Sequence, residues 1–174
     1  MNLIGMVILV GCGAAVIWLA VTYNLLVTLR NRCANARSQI DVQLKRRHEL
    51  IPKLVQTVKG YTTHERETLE RVTEARAKAV SSGTMMEKAE SEHALNGALK
   101  SLFAVVEGYP KLKANENFLK LHDELTEIED RIRFARQFYN DIVMRYNTSS
   151  AVFPNVIIAN LFRFEEAEHF KFDD

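Results

Sequence analysis

The stretch FLKLHDELTEIEDRIRFARQFYNDIVMRY, residues 118–146, decides the fold. Phe118, Leu121, Leu125, Ile128, Ile132, Ala135, Tyr139, Ile142 and Tyr146 follow one another in alternating steps of three and four. That is the a/d seam of a helix packed along its length against other helices. Asn115 or Asn117 stands where an N-cap is needed, and Thr148-Ser149-Ser150 marks the end. Pro154 suits the first turn of a short following helix that carries Val156, Ile157 and Leu161. The tail from Phe162 to Asp174 alternates aromatic and acidic residues and reads as loosely docked.

Working towards the N-terminus, a second helix is expected over Glu87–Glu107, with Leu95, Ala98, Leu99, Leu102, Val105 and Val106 on its apolar side. Gly108 and Pro110 end it. Before it, Ile40, Leu44, Ile51, Leu54, Val58, Tyr61, Leu69, Val72 and Ala79 recur at helical spacing up to the break at Ser81-Ser82-Gly83-Thr84. Pro52 is expected to kink this helix or start a new one, because it removes a backbone donor, and Gly60 is a second soft point.

No charged side chain precedes Arg30, and the apolar run extends from Leu3 to Leu29. About 20 helical residues cross a hydrocarbon core, so this segment is long enough to span a bilayer. Leu3, Ile4, Val7, Ile8, Leu9, Val16, Ile17, Trp18 and Leu19 are the expected membrane residues, with Trp18 and Tyr23 of the type that settles at the lipid–water boundary. A cleaved signal peptide fits poorly: a basic leading segment is missing and the apolar run is too long. Leu9-Val10-Gly11-Cys12 has the shape of a lipidation box, but the chain stays apolar from Gly13 to Val21, where a lipoprotein turns polar. Arg30, Arg32 and Arg37 follow the run closely. By the positive-inside rule they place the rest of the chain in the cytoplasm, and they are within reach of anionic headgroups.

The fold class expected is therefore all-α. A transmembrane anchor over residues 1–29 continues into an antiparallel helical bundle over residues 30–174, built of three long helices and a short fourth. A formal net charge of +1 speaks against nucleic-acid binding, which needs a concentrated basic surface. Two cysteines, Cys12 and Cys33, supply no disulfide framework.

Chemistry-bearing patterns are sparse. Glu90/His93 and Glu166/His169 have the Glu-x-x-His spacing of di-iron bundles, yet one pair sits in a polar stretch and the other in the tail, so no metal or other cofactor is expected. His48, His64 and His122 are flanked by charges and read as solvated. No glycine-rich phosphate loop and no nucleophile–histidine pattern is present, and the chain is expected not to be an enzyme. Lys45, Arg46 and Arg47 read as a solvated face with salt-bridge partners, or as a partner-binding patch. Asn140 and Asn147, each following a tyrosine one heptad apart, are candidates for fixing register in a helix interface. The alternative is that Tyr139 and Tyr146 are simply core residues with hydroxyls at the edge.

Length sharpens the partner question. At about 1.5 Å per residue the second helix, roughly 30 Å, cannot cover a first helix of roughly 75 Å. The stem carrying Cys33, Ala36, Ile40 and Leu44 is therefore expected to lack intrachain cover and to drive homo-oligomerisation, with the anchor, where Gly11 and Ala15 make one small-xxx-small step, as a further contact.

The chain also resembles the LemA family over nearly its whole length. The resemblance rests on Tyr23-Asn24 with Arg30-Asn31, on SQIDVQLKRR (residues 38–47), on Leu50-Ile51-Pro52, and on TVKGY (residues 57–61) with His64-Glu65. It continues in Tyr109-Pro110, Lys113-Ala114-Asn115, Asn117-Phe118, the two later Tyr-Asn pairs and Phe153-Pro154. The resemblance implies a bacterial single-pass protein of the cytoplasmic (inner) membrane with a helical-bundle domain, and it transfers no reaction and no catalytic residue. The function expected is a membrane-anchored scaffold or adaptor. It would bind the lipid bilayer, further copies of itself and a membrane or cytoplasmic protein, the last through Gln39, Asp41, Gln43, Lys45, Arg46 and Arg47. The alternative is a membrane-shaping or envelope-stress protein acting through the basic stem.

Overall fold

The computed structural model describes residues 3–62 and 65–170. Six helices and no strand occur among them: α1 Leu3–Lys59, α2 Arg66–Ser81, α3 Met85–Val106, α4 Pro110–Lys113, α5 Glu116–Ala151 and α6 Asn155–Leu161. The expected all-α bundle with one long apolar N-terminal helix is what the chain forms.

Pro52 does not break α1. The helix passes through it and ends at Lys59, just before Gly60. A helical N–H at position 52 would bond the carbonyl of His48, and proline has none. Nε of Arg76 on α2 donates to that carbonyl instead, at 2.7 Å. The new helix expected to start at Pro52 does not: α1 ends at Lys59 and α2 begins at Arg66, while the bond that Pro52 cannot make is replaced from outside.

The other boundaries follow local chemistry. Thr84 and Glu87 form a capping box, the Thr84 hydroxyl accepting from the Glu87 N–H and the Glu87 carboxylate from the Thr84 N–H. Asn115 caps α5, its side-chain oxygen accepting from the Phe118 N–H at 3.0 Å. At the end of α6, Arg163 takes φ 55° and the Phe164 N–H bonds back to the Ala159 carbonyl at 2.9 Å. That is a Schellman closure with an arginine in the place usually given to glycine.

The chain divides into two compact units, residues 1–38 with 137–169, and residues 39–136 with 170–174. In the second unit one core collects Ile51, Leu54 and Val58 from α1, Leu69, Val72 and Ala79 from α2, Leu95, Leu99 and Leu102 from α3, Leu112 from α4, and Phe118 and Leu125 from α5. These are the seam positions, so helical periodicity and burial coincide. In the first unit Leu26 of α1 packs on Ile158 and Ala159 of α6, with Trp18 and Phe164 against them.

The stem is not uncovered. Cys33, Ala36, Ile40 and Leu44 are all buried within the chain. The length comparison with α3 alone missed α5, which runs 36 residues, to Ala151. The tail is also better held than expected. Tyr146 Oη donates to the Glu165 carbonyl and Tyr139 Oη to the Glu168 carbonyl, each at 2.8 Å. Between them the Asn147 amide closes on both backbone groups of Ala167, at 2.9 and 3.0 Å. Lys171–Asp174 and His64 lie outside the described residues.

Candidate functional site

The apolar end of α1 is laid out for lipid. Leu3, Ile4, Val7, Ile8, Leu9, Val16, Ile17 and Leu19 are exposed. Among the described residues α1 is the one helix long and apolar enough to cross a membrane. Trp18 is half-buried, and Tyr23 meets Phe162 edge-on at 4.8 Å and Phe164 at 5.8 Å. Arg30, Arg32 and Arg37 are exposed, with the Arg30 guanidinium 5.4 Å above the Phe164 ring. Aromatic rings thus gather around the region where the apolar run gives way to arginines, an arrangement typical of a lipid–water boundary.

In the second unit the surface expected on α1 separates into an outer and an inner part. Gln39, Lys45 and Arg46 are exposed. Asp41 and Gln43 are half-buried, and Asp41 accepts from Lys88 Nζ at 2.6 Å. Gln39, Arg46 and Lys53 recur every seven residues, so they share one stripe of the helix. Arg46 and Lys53 line an open groove of about 290 Å³ with Arg131, Glu49, Glu124 and Glu127, and with Leu50 and Ile128 as its apolar residues. The groove carries three cations and three carboxylates, and Arg131 and Glu127 are already paired at 2.6 Å.

Arg47 belongs to neither a solvated face nor a partner surface. It is 1% exposed and among the largest side chains fully buried in the protein. Its Nη2 pairs with Oε2 of Glu92, itself 1% exposed, and its Nη1 donates to Glu129 Oε2 at 2.6 Å and to Asn96 Oδ1 at 2.8 Å. His48, expected to be solvated, is buried beside it, with Nε2 at 2.7 Å from Glu92 Oε1. Burial and the two guanidinium groups, Arg47 and Arg76, push the imidazole down to about 4. His48 is therefore neutral at pH 7 and donates its Nε2–H to the Glu92 carboxylate. The cluster satisfies a buried carboxylate from two sides and orients α1 against α3. Taking both charges out of water costs stability, and the ion pair and the hydrogen bonds oppose that cost.

This cluster was hidden in the sequence because a run of charges reads as solvent-facing. A signal did exist. Arg47 occupies the seam position between Leu44 and Ile51, and Glu92 the one before Leu95 and Leu99. Opposite charges on the apolar seams of two helices mark a buried pair.

The remaining candidates are dispersed. Glu90, His93, Glu166 and His169 are exposed, and His122 is exposed and stacked on Phe103 at 4.9 Å. Asn147 binds the tail as described above. Asn140 is half-buried, one turn before Met144 on the same helix. Burial raises the phenols of Tyr139 and Tyr146 above the ordinary tyrosine value, which keeps both as donors.

Comparison with known proteins adds the family. Protein LemA of Metamycoplasma hominis is 31% identical over 134 residues, covering 75% of this chain and 60% of its own. Magnetosome protein MamQ 2 of Paramagnetospirillum magneticum is 25% identical over 179 residues, covering 88% of this chain and 66% of its own. Magnetosome protein MamQ of Magnetospirillum gryphiswaldense is 24% identical, with 87% and 65% covered. The chain thus spans about two thirds or less of the length of these relatives. The LemA family pattern matches residues 36–174, from the stem through the buried cluster, the groove and the docked tail, and the chain belongs to the LemA family.

Proposed function

We propose that this chain is a non-enzymatic, membrane-anchored scaffold that presents the exposed stripe of α1 to a protein partner at the cytoplasmic membrane. One observation carries the reading. A single unbroken helix, Leu3–Lys59, holds the apolar span, the arginines after it and the stripe Gln39, Arg46 and Lys53. The anchor is thus a stalk that is also part of the domain core, and a partner bound to the stripe is tethered to the membrane by helix rather than by a linker. The charge bias of Arg30, Arg32 and Arg37 favours a cytoplasmic domain. The relatives named magnetosome protein, from Paramagnetospirillum magneticum and Magnetospirillum gryphiswaldense, are in keeping with a membrane setting.

The mixed charges of the groove suit a protein surface with a complementary pattern better than a uniformly charged polymer. Homo-oligomerisation through the stem loses its motive, because the stem is buried. Self-association in this proposal runs through the anchor, where Gly11 and Ala15 are exposed. The test is quantitative crosslinking in native membranes with Arg46→Glu and Lys53→Glu. Loss of specific adducts with an unchanged circular dichroism spectrum supports the scaffold, and an unchanged adduct set removes it.

A second reading, contact with anionic lipid through Arg30, Arg32 and Arg37, is favoured by the exposure of all three. Replacing the three by glutamine would then lower the dependence of vesicle association on anionic lipid.

A further inference from the structure

From Val152 to Phe162 the chain reads VFPNVIIANLF, without one ionisable side chain. One face of this segment is satisfied: Ile158 and Ala159 are buried against Leu26. The other is open. Phe153 is 81% exposed, Leu161 67%, Ile157 53%, and Val152 and Phe162 nearly half. An apolar patch of that kind marks something that covers it.

The place of α6 says what that is. It packs on Trp18 and Leu26, residues of the apolar run itself. The run Leu3–Leu29 is about 40 Å long at 1.5 Å per residue, against a hydrocarbon core of about 30 Å. Wherever the core is set along the run, the stretch Trp18–Leu26 lies inside it or within about one helical turn of its end. A segment packed on that stretch is therefore at bilayer depth. Its margin fits a headgroup layer, with Tyr23 against Phe162, Arg163 exposed just after the patch, and Arg30 above Phe164. A second copy would need a partner face of matching shape, while the bilayer is already there.

We infer that the segment Val152–Phe162, with α6 at its centre, is a second membrane-contact site: an interfacial helix seated in the acyl–headgroup boundary beside the spanning helix, with Phe153, Ile157 and Leu161 towards lipid. It rests on the reading that α1 spans the bilayer. Two contacts instead of one fix the tilt and rotation of the stalk, which a lone helix leaves free.

The test uses the full chain in phosphatidylcholine–phosphatidylglycerol vesicles. Nitroxides are placed at Ile157→Cys and Leu161→Cys, with Lys120→Cys as the aqueous control, in a Cys12→Ala, Cys33→Ala background. Collision with oxygen reports lipid, and collision with a nickel chelate reports water. The inference expects the oxygen-to-nickel ratio at 157 and 161 to exceed that at 120 by about tenfold. Nickel accessibility equal to that at 120 overturns it, as does shielding from both reagents, which would mean a protein cover. Phe153→Trp in a Trp18→Phe background gives a milder check. Brominated lipid should quench it, and no quenching overturns the inference. Native Trp18, the single tryptophan, reports the span separately. Trp18 quenched with position 161 in water sinks the interfacial helix alone, whereas Trp18 unquenched sinks both.

Discussion

The carbonyl oxygen of His48, left without a helical donor by Pro52, takes its hydrogen bond from Nε of Arg76 at 2.7 Å. A proline in the middle of a helix and an arginine on the next helix thus solve one bonding problem together. Arg76→Leu is expected to destabilise the protein by about 1–2 kcal/mol, as an unpaired carbonyl does. In a Pro52→Ala background the helical N–H returns, and the same substitution should cost little. A double-mutant cycle by denaturant unfolding in detergent micelles measures the coupling, and additivity would contradict it.

Beside that carbonyl, the buried pair is asymmetric in its response to mutation. Arg47→Met leaves Glu92 charged and buried, at an expected cost of about 3–5 kcal/mol. Arg47→Met with Glu92→Leu removes both charges and should recover most of the loss. Melting curves followed by circular dichroism decide this.

Much of this fold is legible in the sequence, and the exceptions have a common cause. The α5 seam, the Asn115 cap and the Ser81–Thr84 break are local signals, set by periodicity and by side chains bonding their own backbone. Pro52 reads locally as a break, and only a donor 24 residues away, Arg76, makes it tolerable. Arg47 and His48 read as solvated because their neighbours in sequence are charged, while their partners Glu92 and Glu129 lie on other helices. The tail reads as loose because the residues that pin it, Tyr139, Tyr146 and Asn147, sit on α5.

Protonation of His48 sets a pH dependence. Its folded value of about 4 lies below the ordinary 6.5, so the unfolded chain binds the extra proton across that window. Stability is full above about pH 6.5 and falls as the pH drops towards 4, by at most about 3 kcal/mol. His48→Gln keeps a donor towards Glu92 and does not titrate. Its stability should be flatter between pH 6.5 and 4 in equilibrium unfolding.

The tail is predicted to loosen one bond at a time. Tyr146→Phe removes the bond to Glu165 and Asn147→Ala both bonds to Ala167, each bond worth about 1 kcal/mol. Hydrogen exchange at the Ala167 amide should quicken in Asn147→Ala and stay near wild type in a remote control such as Lys120→Ala.

Arg163 offers a gain. At φ 55° it bears a steric penalty that glycine lacks. Arg163→Gly should raise stability by about 0.5–1 kcal/mol, seen as a higher melting temperature.

The central claim is that one helix anchors the chain and carries its partner surface. A photoreactive amino acid placed singly at Gln39, Arg46, Arg47, His48 and Lys53 of the full chain, and activated in native membranes, tests it most directly. The account predicts a shared foreign-protein adduct from the exposed stripe positions 39, 46 and 53, and intrachain products alone from the buried positions 47 and 48. No foreign-protein adduct from any of the three exposed positions would contradict it.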